Sequence, residues 1–247
     1  FCFSMAAFGE PFADCAYEAP VEAKNVLPAS MSALPPATVK AYTTQVDQLH
    51  VFTPYIGKNN VLKGGDTDLK VMRVGAGFAT DMTGIPLFGP GFEDDGYTVY
   101  LAAIASADAT ALRLIVDLSG LEVDDEVYVV DTVGNRAFGP YTKADYAAGG
   151  TWLPTTDGDT ALLVARTKGD AVPDVQLAGI SHFFRTTTEI KLALSCNNDI
   201  NCEGNSTIQT LSTGVGIMVI PQINYDSALC SGALLNNADT ATNEPYY

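Results

Sequence analysis

Residues able to do acid–base or nucleophilic chemistry are thinly spread along this chain. There are two histidines, His50 and His182, and five cysteines, Cys2, Cys15, Cys196, Cys202 and Cys230. A histidine base needs a nucleophile and an orienting acid held beside it. His182 lies in an alternating stretch next to Phe183 and Phe184, and no serine in that region has the Gly-x-Ser-x-Gly context of a nucleophile elbow. His182 is read as structural. His50, in a proline-broken stretch, carries no signal, and no catalytic residue is assigned.

The cysteines fit zinc poorly. Cys196 and Cys202 have five residues between them, and neither Cys-x-x-Cys nor His-x-x-x-His accompanies them. Disulfides are the remaining option, within the chain or to residues beyond Tyr247. An odd count leaves at least one thiol without an internal partner. Gly75-Ala76-Gly77 has Thr80 where a nucleotide-binding turn needs a third glycine, and no Lys-Ser/Thr follows, so it is read as a loop. The acidic runs Glu93-Asp94-Asp95 and Asp124-Asp125-Glu126 lack the spacing of a calcium loop and read as solvated turns. Asp157-Gly158-Asp159 reads as a hairpin turn. No cofactor and no metal is assigned. Asn205-Ser206-Thr207 fits a glycosylation acceptor.

Composition narrows the classes further. The 247 residues are 47% hydrophobic and 17% charged, enough apolar content for a buried core. With 13 basic against 29 acidic residues the formal charge is −16. Such a body repels phosphate backbones and anionic lipid surfaces, so neither nucleic acid nor membrane is expected as a partner. No apolar run reaches the roughly eighteen residues of a membrane-crossing helix. The apolar opening Phe1–Gly9 reads as the tail of a secretion signal, which places the protein outside the cell, where disulfides persist. Asn243-Glu244-Pro245-Tyr246-Tyr247 reads as the first residues of a buried strand, so a piece of a longer protein is expected.

The elements that position these residues fall into three stretches. Residues 1–60 form a signal remnant and an extended lead-in, interrupted by Pro20, Pro28, Pro35 and Pro36, with short helical turns at 30–34 and 37–49. Residues 61–188 form a sandwich module. Its expected strands are 69–74, 96–105, 111–118, 126–131, 150–153, 160–166 and 180–185, with Gly139-Pro140-Tyr141 as a break. They are short, β-branched or alternating, and punctuated about every ten residues, the pattern of an antiparallel sandwich. Residues 189–247 hold two further strands, at 214–220 and 228–235. Two strands cannot bury both faces alone, so this is read as the start of a second domain.

The last stretch resembles a known family. Ser195-Cys196-Asn197-Asn198-Asp199-Ile200-Asn201-Cys202-Glu203-Gly204 is similar to the amino terminus of mature lysyl-endopeptidase-like serine proteases, of the trypsin-like double β-barrel superfamily. Leu229-Cys230-Ser231-Gly232-Ala233-Leu234-Leu235-Asn236-Asn237 resembles the strand leading to their catalytic histidine. Asn243–Tyr247 resembles the residues just before their Leu-Thr-Ala-x-His-Cys. More loosely, 104–109, Gly139-Pro140-Tyr141-Thr142, Gly150-Thr151-Trp152-Leu153, Gly158-Asp159 and Ile180-Ser181-His182 resemble the module that precedes the protease in such precursors.

The resemblance implies an all-β chain: an antiparallel β-sandwich leader followed by the first strands of an incomplete trypsin-like double β-barrel. It implies a secreted serine endopeptidase precursor, acting on protein or peptide substrates, with its Ser-His-Asp triad encoded downstream. The chain itself is then inactive, and the leader packs on its own protease domain. Cys230 would pair with the cysteine after the catalytic histidine, and Cys196 and Cys202 would bridge to later parts of the protease. Lys191 would be a processing site. The alternative readings are a non-enzymatic secreted sandwich, with Trp152, Tyr97, Tyr100, Tyr128 and Tyr141 as a stacking face, or a pseudoprotease.

Overall fold

The computed structural model of the chain describes residues 34–52, 72–184, 205–208 and 215–233. The chain divides into two compact units, one of residues Leu27–Thr187 with Val219–Leu229, the other of Phe1–Val26, Thr188–Met218 and Cys230–Tyr247. The elements in chain order are helix α1 (Pro36–Gln45), then strands β1 (Leu49–Phe52), β2 (Met72–Ala79), β3 (Phe92–Asp94), β4 (Tyr97–Ser106) and β5 (Ala111–Gly120). They continue with β6 (Glu126–Asp131), β7 (Arg136–Tyr141), β8 (Thr151–Asp157), β9 (Thr160–Thr167), β10 (Asp174–Phe183), β11 (Val215–Pro221) and β12 (Ser227–Ala233).

The fold is all-β, as the strand pattern implies. One sheet has the order β1-β4-β9-β6-β7, with β3 also on β4; the other has the order β11-β12-β2-β10-β5-β8. Between them lies the main core: Leu112, Leu114, Val116 and Leu118 of β5 and Leu177 and Ile180 of β10 meet Ala102 and Ile104 of β4, Val127 and Val129 of β6 and Leu163 of β9. Apolar side chains at every second position of each strand supply this face.

Strands β4, β6 and β9 are buried on both faces, which explains why their sequences are almost continuously apolar. The second cover is α1. Its Val39 and Tyr42, with Leu34 just before it, pack on Val99, Leu101, Tyr128, Val130, Leu162 and Val164. Proline is tolerated in the first turn, where its missing N–H has no helical partner, so Pro36 starts this helix rather than preventing it. Tyr42 is fixed further by its hydroxyl, which donates to Asp94 Oδ2 at 2.6 Å. The lead-in expected over residues 1–60 thus contributes, in its described part, a helix and a strand to the sandwich.

Three local expectations need correction: the loop at Gly75-Ala76-Gly77, the hairpin at Asp157-Gly158-Asp159 and the break at Gly139-Pro140-Tyr141, which lies within β7. Strand β1, for which the sequence offers no expectation, pairs parallel with β4 in the register Leu49↔Ala103 to Phe52↔Ser106. It is not linked to β4 by a hairpin, so the tight turn that enforces antiparallel pairing is absent. Asp157-Gly158-Asp159 does not close a hairpin: β8 belongs to one sheet and β9 to the other, so this turn passes between sheets. Gly75-Ala76-Gly77 is not a loop but the middle of β2, paired with Ser181–Phe183 of β10.

Candidate functional site

The two histidines are both committed to the sandwich. His182 lies on β10 opposite Leu112 and Ala76, on the same face as Ile180 and therefore between the sheets. Its Nδ1 is 2.8 Å from Ser106 Oγ at the end of β4. Ser106 is completely buried and His182 nearly so. Burial lowers the His182 pKa below its ordinary 6.5, and Asp108 opposes that shift. A serine nucleophile must reach substrate, and this one has no access to solvent, so the pair joins two sheets and is not a catalytic dyad. No local motif announces the pair, because the two residues are 76 positions apart. His50, on β1, is also buried, and its Nε2 donates to the Leu87 carbonyl at 2.7 Å.

Several acidic residues of the two runs have partners within the fold. Asp94 accepts from Tyr42, Glu93 accepts from Thr98 at 2.9 Å, and Asp95 takes the left-handed conformation of a tight turn. Asp125 is buried and accepts from the Glu122 amide at 2.8 Å. Among the described residues, no group of three or more His, Cys, Asp or Glu is placed to hold a metal ion.

The five aromatic residues weighed as a stacking face are parted by the fold. Tyr97 and Tyr128 flank Arg166 on the helix-covered side of their sheet, with the guanidinium 3.9 Å and 5.9 Å from the ring centres. Tyr100 and Tyr141 join the core between the sheets. Burial is the main cause that pushes the Tyr141 pKa up to about 12, with Asp145 adding to it. Trp152 sits on the outer side of β8, under Arg113 at 5.2 Å and beside Tyr225 at 6.0 Å.

Tyr225 belongs to a second polar arrangement, absent from the sequence reading. The turn Ile223–Tyr225 joins β11 to β12, with Asn224 and Tyr225 both at positive φ. Gln222 N donates to the Asp226 carbonyl at 2.9 Å and closes the turn. Asp226 Oδ1 accepts from Gly77 N at 2.7 Å and from Arg73 Nη2 at 2.8 Å, both on β2. Gly77 has no side chain because the Tyr225 backbone occupies that space, and Gly179 has none because the Tyr225 ring does. Ser227 pairs with Gly75, Ala228 with Arg73 and Leu229 with Met72. Ser227 Oγ lies 2.8 Å from Ser181 Oγ, and Arg113 Nη1 donates to the Val219 carbonyl at 3.1 Å. Residues 219–229 are thereby seated on the sheet by a buried strand, a carboxylate and a ring.

Of the residues singled out for a function, Lys191, Cys196 and Cys202 lie outside the described residues. Cys230 lies on β12, one residue past the seated stretch. Among the described residues, no helix is long and apolar enough to cross a membrane.

No curated protein and no solved structure matches the chain. Residues 190–247 match the family described as lysyl endopeptidase, C-terminal domain, so over this stretch the chain is related to the lysyl endopeptidases.

Proposed function

We propose that the chain is the leading part of a secreted, trypsin-like serine endopeptidase precursor. The sandwich is its prosequence, and residues 190–247 open its catalytic domain. The match of residues 190–247 to the lysyl endopeptidase family carries this reading. In such an enzyme a serine attacks the scissile carbonyl, a histidine takes its proton, an aspartate orients the histidine and backbone amides hold the oxyanion. Both histidines of this chain are buried and bonded, which supports placing the triad beyond Tyr247. Cys196, Cys202 and Cys230 then act as halves of bridges to the downstream barrel, and Lys191 is the processing site between prosequence and enzyme. The substrates are proteins and peptides, and no cofactor takes part.

Reading the coding sequence past Tyr247 tests this. The proposal expects Thr-Ala-x-His-Cys at once and a Gly-Asp-Ser-Gly later. A stop codon would leave a binding module, and the cysteines without histidine or serine would leave a pseudoprotease.

A further inference from the structure

Residues 219–229 fall inside the segment related to lysyl endopeptidases, yet they belong to the compact unit of the sandwich. The sheet provides for them specifically. Gly77 and Gly179 leave the space that the Asn224–Tyr225 backbone and the Tyr225 ring fill, Gly75 lies against Ser181 and Ser227, and a Cβ at Gly77 would run into the Tyr225 backbone. Asp226 is held by one backbone amide and one guanidinium of β2. The strand partners Ser227, Ala228 and Leu229 are all buried, which an incidental surface contact would not require.

We propose that the edge of β2, with the glycine platform beside it, is a strand-docking site of the sandwich whose occupant is residues 219–229, held by the seat itself and not by the covalent joint to β10. Main-chain pairing gives affinity, while the Asp226 contacts and the glycine platform give register and selectivity. The name of the occupant, a strand of the enzyme's opening segment, rests on the proposed function; the seat does not. Cleavage anywhere in the joint at 185–204 then leaves the two pieces bound, and the enzyme's opening strand is freed only when the seat opens.

The test uses the full chain with a site-specific protease recognition sequence inserted within 185–204. After complete cutting, the two fragments are expected to co-elute from a sizing column under native conditions and to separate in denaturant. D226A should weaken their association at least tenfold, and G77V should abolish it. Thermal melting of each uncut variant shows whether the sandwich still folds. If G77V fails to fold, D226A and R73M, which remove only the polar contacts, decide the matter. Prompt separation of the cut wild-type pieces overturns the proposal, as does co-elution that D226A and R73M leave unchanged. Neither result depends on peptidase activity, so the protease reading stands or falls separately.

Discussion

Ser106 and His182 meet through a 2.8 Å hydrogen bond that spans the two sheets of the sandwich, at the level where β4 ends and β10 leaves the core. A buried polar pair of this kind is stable only while both partners stay neutral and bonded. Its behaviour with pH therefore reports on the fold and not on catalysis.

The sign follows from the direction of the shift. His182 has a lower pKa folded than its ordinary 6.5, mainly through burial, with Asp108 working the other way. The unfolded chain consequently binds the proton first as pH falls. The contribution is intact above 6.5 and is lost as pH drops from there towards the folded value, with a slope that cannot exceed about 1.4 kcal/mol per pH unit. Denaturant titrations of the wild type and of H182Q between neutral and mildly acid pH should show this slope in the wild type alone.

Asp131 organises the β6–β7 hairpin. It is fully buried, its Oδ1 accepts from the amides of Val133 and Gly134, and its Oδ2 meets Arg136 at 2.5 Å. D131A strands two backbone donors and should cost about 1–3 kcal/mol. D131N keeps an accepting oxygen and should cost less. Urea midpoints at constant slope would check the order.

Leu114 faces Ile180 across β5 and β10 and has no exposed surface. L114A opens a cavity between the sheets and should cost about 2–5 kcal/mol. An equivalent change at Val123, which is 86% exposed, should be nearly silent.

The helix tests a different face. Burial and then Asp94 push the Tyr42 phenol up, so it remains a donor throughout the neutral range. Y42F removes one hydrogen bond to a carboxylate and should cost about 1–2 kcal/mol. The loss should shrink in a D94N background, which a double-mutant cycle measures directly.

The sequence exposed most of the central strands because their chemistry is local. The apolar and β-branched runs of β4, β5, β6 and β9 stand at the expected positions. What escaped was set by tertiary partners. Gly139-Pro140 reads as a break, yet it continues β7. The glycines of β2 look like a loop until Tyr225, about 150 residues on, fills the space beside them. Helix α1 has little amphipathic signal, because only Val39 and Tyr42 of it are buried. The Asp226 seat has no motif: its partners Arg73 and Gly77 are brought to it by β2 pairing with β12. The family resemblance was legible, since it rests on a contiguous stretch that the match over residues 190–247 covers.

Under the proposed function the chain is part of a serine endopeptidase whose triad lies outside it. Turnover of a lysyl peptide ester by the purified chain of 247 residues, beside the product of the extended reading frame after processing, tests it most directly. The chain is expected to give no hydrolysis, and the extended product hydrolysis that a serine-directed phosphonate blocks. Hydrolysis by the chain alone, or none by the extended product, would contradict it.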